Sequence, residues 1–232
     1  MTVTDVDAFD GRLLDGLEFC AGTYALFEHL RAQPGGVERL RLRSGENEKR
    51  LLEELIPISR YVQTYYRAGR YISVRWVNGS QRFDAELHQR GDYIAKGYYA
   101  PLAYLEATSA MHENEHWSWK LTNKGEVVFA PEGIDASRGT PLQSHPVVFT
   151  NEEHVKKFAP IVISSIRRKC EIAYPGNTSL VVQCHLNSLY TADDWRLLVA
   201  EVERELQASP FREVLLFDGT TQRTTALSIA RQ

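Results

Sequence analysis

Paired cysteines, an excess of positive charge and long apolar runs are all missing from this chain, and each absence narrows what it can be. The three cysteines, Cys20, Cys170 and Cys184, are odd in number, far apart and without a Cys-x-x-Cys pair. That usage rules out a cysteine-based zinc knuckle and favours a reduced, cytoplasmic protein over a disulfide scaffold. No stretch approaches the roughly 18 apolar residues of a membrane-spanning helix, so no membrane partner is expected. The start, Met-Thr-Val-Thr-Asp-Val-Asp, is acidic and lacks the apolar core of a secretory signal. A formal net charge of -3 argues against coating nucleic acid by bulk charge, while leaving room for a local basic patch. The Gly-x-Ser-x-Gly elbow, Walker-type Gly-rich loops and the dinucleotide fingerprint are absent too.

What is present is 232 residues with 43% hydrophobic content, enough for one sizeable core. Leu13, Leu14, Leu17, Phe19, Tyr24, Leu26, Phe27 and Leu30 partly fit helical spacing before Gln33-Pro34-Gly35-Gly36 breaks the chain. Residues 1–45 therefore read as a helical N-terminal extension packed on the core of a domain spanning 46–232. Leu51, Leu52, Leu55, Ile58 and Val62 recur at helical intervals from about Ser44 or Glu46, with a kink expected at Pro57. The period then changes to two. Ile72, Val74 and Trp76 alternate with polar residues, Asn78-Gly79 signals a hairpin, Phe83, Ala85 and Leu87 alternate again, and a third strand follows at about 101–108.

Residues 109–150 carry few periodic signals and read as a long loop or insertion. A helix is expected from about Asn151 through Ile172, stopped by Tyr174-Pro175-Gly176-Asn177, then a buried strand at 179–184. Thr191 and Asp194 have capping-box spacing ahead of a Trp195, Leu198, Val202, Leu206 stripe. A last strand at 213–217 precedes a polar tail that is disordered or ends in one more short strand. The fold class is α/β, a mixed central sheet flanked by helices.

Two acids stand out, Asp84 and Glu106, each within an alternating run. Alternation puts Asp84 with Glu86 on one face, and Glu106 with Thr108 on one face. Neighbouring strands would bring Asp84 and Glu106 close enough to share a divalent cation, with Glu54 or Glu53 from the preceding helix as a further ligand. Mg²⁺ suits hard carboxylate oxygens and keeps waters, one of which can attack phosphorus.

This order (helix, three strands, helix, strand), with an acid on the second strand and Glu-x-x on the third, resembles the PD-(D/E)XK, or restriction-endonuclease-like, nuclease superfamily over residues 46–185. The resemblance implies an αβββαβ core acting as a Mg²⁺- (or Mn²⁺-) dependent nuclease, with DNA as the expected substrate. It implies metal ligation by Asp84 and Glu106, assisted by Glu54. Phe83-Asp84 stands where the family has Pro-Asp, and Thr108 stands where it has lysine. Thr108 would then position a water. Lys169, at the end of the following helix, is the candidate replacement lysine, with Lys96 as a second choice. Loss of the lysine's role would instead imply an inactive nuclease-like binding module.

His112-Glu113-Asn114-Glu115-His116 matches His-Glu-x-x-His, which on a helix would hold zinc for a hydrolase. Lys156-Lys157 and Arg167-Arg168-Lys169, with Arg60, Arg67, Arg70 and Arg75, supply basic residues for phosphates. Tyr65, Tyr66, Tyr71, Tyr98, Tyr99, Trp117 and Trp119 could stack on bases. An enzyme of this size could work as a homodimer.

Overall fold

A computed structural model describes residues 4–136 and 141–231. In chain order the elements of the first half are β1 (Leu13–Asp15), α1 (Gly16–Ala32), α2 (Gly36–Leu42), α3 (Glu46–Arg50), a π-helical turn (Leu51–Leu55), α4 (Ile56–Tyr65), β2 (Tyr71–Trp76), β3 (Ala85–Arg90), α5 (Asp92–Ala95) and β4 (Leu102–Ala110). The second half adds α6 (Glu115–Asn123), the short pair β5 (Ile134–Asp135) and β6 (Gln143–Ser144), α7 (Asn151–Cys170), β7 (Thr178–Cys184), α8 (Ala192–Glu205), β8 (Ala208–Ser209), β9 (Val214–Asp218), β10 (Thr224–Ala226) and β11 (Ala230–Arg231).

The result is an α/β fold. A mixed seven-stranded sheet runs β1-β2-β3-β4-β7-β9-β10. Its first four strands are antiparallel neighbours, β4, β7 and β9 are parallel, and β10 returns antiparallel. Parallel neighbours need crossovers, which α7 and α8 supply. Sheet alternation divides the core in two. Ile72, Val74, Trp76, Leu87, Leu105, Val181 and Phe217 face α1, the π turn and α4, whereas Leu180, Val182, Val214 and Leu216 face α7 and α8.

Local signals set the helix starts. Thr150 and Glu153 form a capping box at α7, as do Thr191 and Asp194 at α8. Three expectations change. The first 45 residues are not all helical: Leu13–Asp15 pairs with β2 as an edge strand, while Phe9, Phe19, Leu26 and Leu40 pack into the same core as Leu51 and Leu55. A three-residue strand is too short to show a period. Asn78-Gly79 does not form a two-residue hairpin, and neither residue has positive φ. Residues 77–84 form a wider loop, closed by Val77 N–H donating to Asp84 O at 3.1 Å and held by Gln81 Nε2 donating to Val77 O and Phe83 O.

Third, the break in regular α-helix comes just before Pro57: α3, the π turn and α4 form one uninterrupted helical run, and Pro57 is the second residue after the π turn. Of the expected insertion at 109–150, the start of the span is the end of β4, and the remainder contains α6 and the β5–β6 pair. Residues 137–140 lie outside the described residues. The tail carries two short strands, β10 beside β9 and β11 beside β8.

Candidate functional site

The β3–β4 register pairs Ala85 with Leu105, so one step further Asp84 lies opposite Glu106. Asp84 sits just before β3, its N–H donating to Leu105 O at 2.8 Å. Its Oδ2 accepts from Ala107 N–H at 2.7 Å. Glu106 is 7% exposed, and its Oε1 accepts from Lys169 Nζ in a close ion pair. That contact exists because β4 and β7 pair in parallel and α7, the crossover between them, lays its C-terminal turn beside β4.

Glu54 comes from the π turn. Its Oε2 accepts from Trp76 Nε1 at 2.9 Å, and its Oε1 is ion-paired with Arg50. A π turn inserts an extra residue per turn relative to an α-helix and recurs at functional positions. Here Glu53 and Glu54 both line the cleft, together with Lys49 and Arg50 one turn earlier. Thr108 lines it from β4, two residues beyond Glu106. Asp84, Glu106, Glu54, Thr108 and Lys169 thus share one cleft of about 330 Å³. Lys96 is exposed at the end of α5 and takes no part.

Electrostatically the cleft is crowded with negative charge. Burial, then the charges of Glu106 and Glu54, pushes the Asp84 carboxyl from 3.8 up to about 8, against the opposing pull of the Ala107 N–H and Lys169. Tyr174, in the Tyr-Pro-Gly-Asn stretch that stops α7, lies beside Glu106 and Asp84. Burial first, and then Glu106, raises its phenol above the usual tyrosine range. No periodic signal marks that position. Arg50 and Trp76 hold Glu54, a role that neither helical spacing nor the alternation that picks out Trp76 could indicate.

Among the described residues, no three or more His, Cys, Asp and Glu side chains are arranged to hold a metal ion. Mg²⁺ does not require such a cage, because it commonly takes one or two carboxylates and fills the rest with water. The donor chemistry of Asp84 and Glu106 fits that pattern, and a divalent cation would offset both the desolvation of Asp84 and its repulsion by Glu106 and Glu54.

The zinc motif is not assembled. His112 and Glu113 precede α6, which begins at Glu115, so His112 and His116 do not share a helical face. His112 Nδ1 instead accepts from Asn114 N–H at 3.1 Å, and the buried Glu115 accepts from Asn187 Nδ2 at 3.0 Å. The basic residues also separate by role. Arg70 is buried, stacked 3.6 Å from the Tyr99 ring centroid and bonded to Gln89 and Tyr61. Arg75 pairs with Glu86 at 2.5 Å. Tyr65 is a core residue, and Trp119 carries Arg43 on its ring. These side chains build structure and are not free to hold phosphates or bases.

Lys49 and Arg168, by contrast, line the cleft with no ion-pair or hydrogen-bond partner among the described residues. A larger groove of about 770 Å³ lies between α7 and α8, but its Lys156, Arg167 and Arg204 are interspersed with Glu171, Glu201 and Glu205, and none of the five residues above reaches it. No helix among the described residues is long and apolar enough to cross a membrane. In comparisons with known proteins, no family, no curated protein and no solved structure matches this chain.

Proposed function

We propose that this protein is a Mg²⁺- (or Mn²⁺-) dependent nuclease with a divergent PD-(D/E)XK-type site, acting on DNA. The observation that carries the reading is the convergence of Asp84, Glu106 and Lys169 from three separate elements into one cleft. Chance would not favour placing a lysine against the second acid when the strand position expected to hold one is Thr108. With α5, α6 and the β5–β6 pair set aside as insertions, the order α4, β2, β3, β4, α7, β7 supports the same reading.

In this reading Asp84 and Glu106 hold the metal, with Glu54 at its flank. When bound, the metal supplies Lewis-acid charge on a phosphodiester oxygen and lowers the pKa of a coordinated water. Lys169 holds the Glu106 carboxylate in place and presents positive charge where a phosphorane would gather negative charge. Thr108 lines the same wall and offers a hydroxyl to a water. Lys49 and Arg168, unpaired at the rim, attract phosphates.

The test is cleavage of labelled DNA in Mg²⁺ or Mn²⁺. Asp84→Ala and Glu106→Ala should each abolish it, with circular dichroism and melting unchanged in character. Activity that survives both substitutions removes this site from consideration.

One observation favours a second reading, an inactive nuclease-like binding module. Glu106 is paired with Lys169, Glu54 with Arg50 and Trp76, and Asp84 with Ala107 N–H, so each acid has an internal partner without metal. Calorimetric titration with Mg²⁺ separates the two. Absence of binding together with absence of cleavage of any nucleic acid selects the module. Cytoplasmic placement and a homodimer remain part of the proposal, the latter checked by light scattering.

A further inference from the structure

The acidic cleft opens into a second groove of about 720 Å³, and Ser109, Met111 and Arg168 line both. This groove runs beside one face of α7, on which Lys157, Ile161, Ser164 and Arg168 recur at helical spacing. Lys157 and Arg168 are eleven residues apart, roughly 16 Å along the helix at 1.5 Å per residue. Both are exposed and neither has an ion-pair partner among the described residues; Lys157 lies only over the Phe149 ring, at 3.9 Å.

The opposite wall is different in sign. It comes from the turn that follows β4 and from the 126–136 segment, and it carries Glu113 and Glu132 with His112 between the strand and Glu113. Glu132 is fixed there beside the buried His154, 4.0 Å from its Nε2, while His154 Nδ1 is hydrogen-bonded with Tyr190 Oη at 2.6 Å. Met111, Pro160 and Ile161 supply apolar surface between the walls. Ser109, at the junction with the cleft, has a buried hydroxyl with no hydrogen-bond partner.

We infer that this groove holds a single nucleic-acid strand leading away from the scissile phosphate, with its phosphates on Lys157 and Arg168 of α7 and its bases toward Glu113 and Glu132. The inference rests on the nuclease reading for what lies at the cleft end, and it adds a substrate class: single-stranded segments rather than continuous duplex. The asymmetry of charge is the reason. A duplex would bring its second phosphate backbone toward the glutamate wall, where like charge repels it. A single strand meets that wall with base edges, whose amino groups can donate to carboxylates. The apolar surface suits base and sugar faces.

The experiment is fluorescence anisotropy with a labelled single-stranded DNA oligonucleotide and with its duplex, in EDTA, across a KCl series. The proteins are wild type, Lys157→Ala, Arg168→Ala and Lys156→Ala. Lys156 lies off this groove, paired with Glu152, and removes the same charge. The expected result is tighter binding of the single strand than of the duplex. Lys157→Ala and Arg168→Ala should each flatten the salt dependence by about 0.7 in slope, the value for one phosphate contact on a single strand. Lys156→Ala should leave it unchanged.

Preference for duplex, or wild-type slopes in both groove variants, overturns the inference. So does equal competition by an acidic peptide. A parallel Mg²⁺ cleavage assay keeps the two proposals apart. Cleavage with no strand preference removes only the groove assignment, and strand binding as expected without cleavage in Mg²⁺ or Mn²⁺ removes only the nuclease reading.

Discussion

Replacing Lys169 by methionine isolates the contact on which the candidate site depends. Methionine keeps an unbranched stem of similar length and removes only the charge, so packing along α7 is preserved. The Lys169 side chain is 22% exposed and that of Glu106 is 10% exposed. Removing one partner of a fully buried pair costs about 3–5 kcal/mol, because the remaining charge is left unpaired in the interior. Partial solvent access at Lys169 and the nearby Arg168 reduce this to about 2–3 kcal/mol. Glu106 would then face Asp84 and Glu54 with no counter-charge of its own.

Adding Glu106→Gln to Lys169→Met removes the stranded charge, so the double variant should recover most of the loss. The coupling energy of the cycle is expected at about 2 kcal/mol. Urea unfolding in EDTA at pH 7.5, followed by tryptophan fluorescence with the m-value held constant, measures each corner. A Lys169→Met variant within about 0.5 kcal/mol of wild type, near the noise of such cycles, refutes the reasoning. So does a double variant no more stable than the single one.

Other outcomes follow from neighbouring contacts. His185, hydrogen-bonded to Arg43 at 3.1 Å, is driven down from 6.5 to about 3 by burial and then by the Arg43 charge. The unfolded chain therefore binds the extra proton first, and its contribution to stability is intact above pH 6.5 and declines as pH falls toward 3, by up to about 1.4 kcal/mol per pH unit. His185→Gln should flatten that part of the pH profile in urea melts, and an unchanged slope between pH 6.5 and 4.5 counts against it. Gly16→Ala should destabilise by about 1–3 kcal/mol, since overpacking of this kind forces backbone shifts. The added methyl would sit 2.7 Å from Ile72 O and 2.8 Å from Val62 Cγ1; thermal melting reads the loss. Trp76→Phe should lower stability by about 2 kcal/mol, removing the indole hydrogen bond to Glu54 and part of a fully buried side chain. A melting temperature equal to wild type would show that Glu54 needs no such anchor.

Features governed by near neighbours are written in the local order of residues. Hydrogen bonds within four residues define the capping boxes at Thr150 and Thr191, and those positions begin helices as their spacing requires. Alternation places Ile72, Val74 and Trp76 inward and keeps Glu106 and Thr108 on one face of β4. The two acids could be picked out for the same reason, because carboxylates within apolar alternation are conspicuous.

Long-range contacts have no such local signature. Lys169 meets Glu106 across 63 residues only because α7 crosses between parallel strands, and no local pattern encodes that approach. The π turn that aims Glu53 and Glu54 at the cleft is invisible to helical periodicity, which registers apolar spacing and not a single slipped hydrogen bond. His112 and His116 show the converse: a motif legible in sequence is dissolved because the chain turns at 113–114 before the helix begins. Short-range hydrogen bonding and side-chain alternation are fixed by a few consecutive residues. Which distant charges come to share one cleft depends on how whole elements pack.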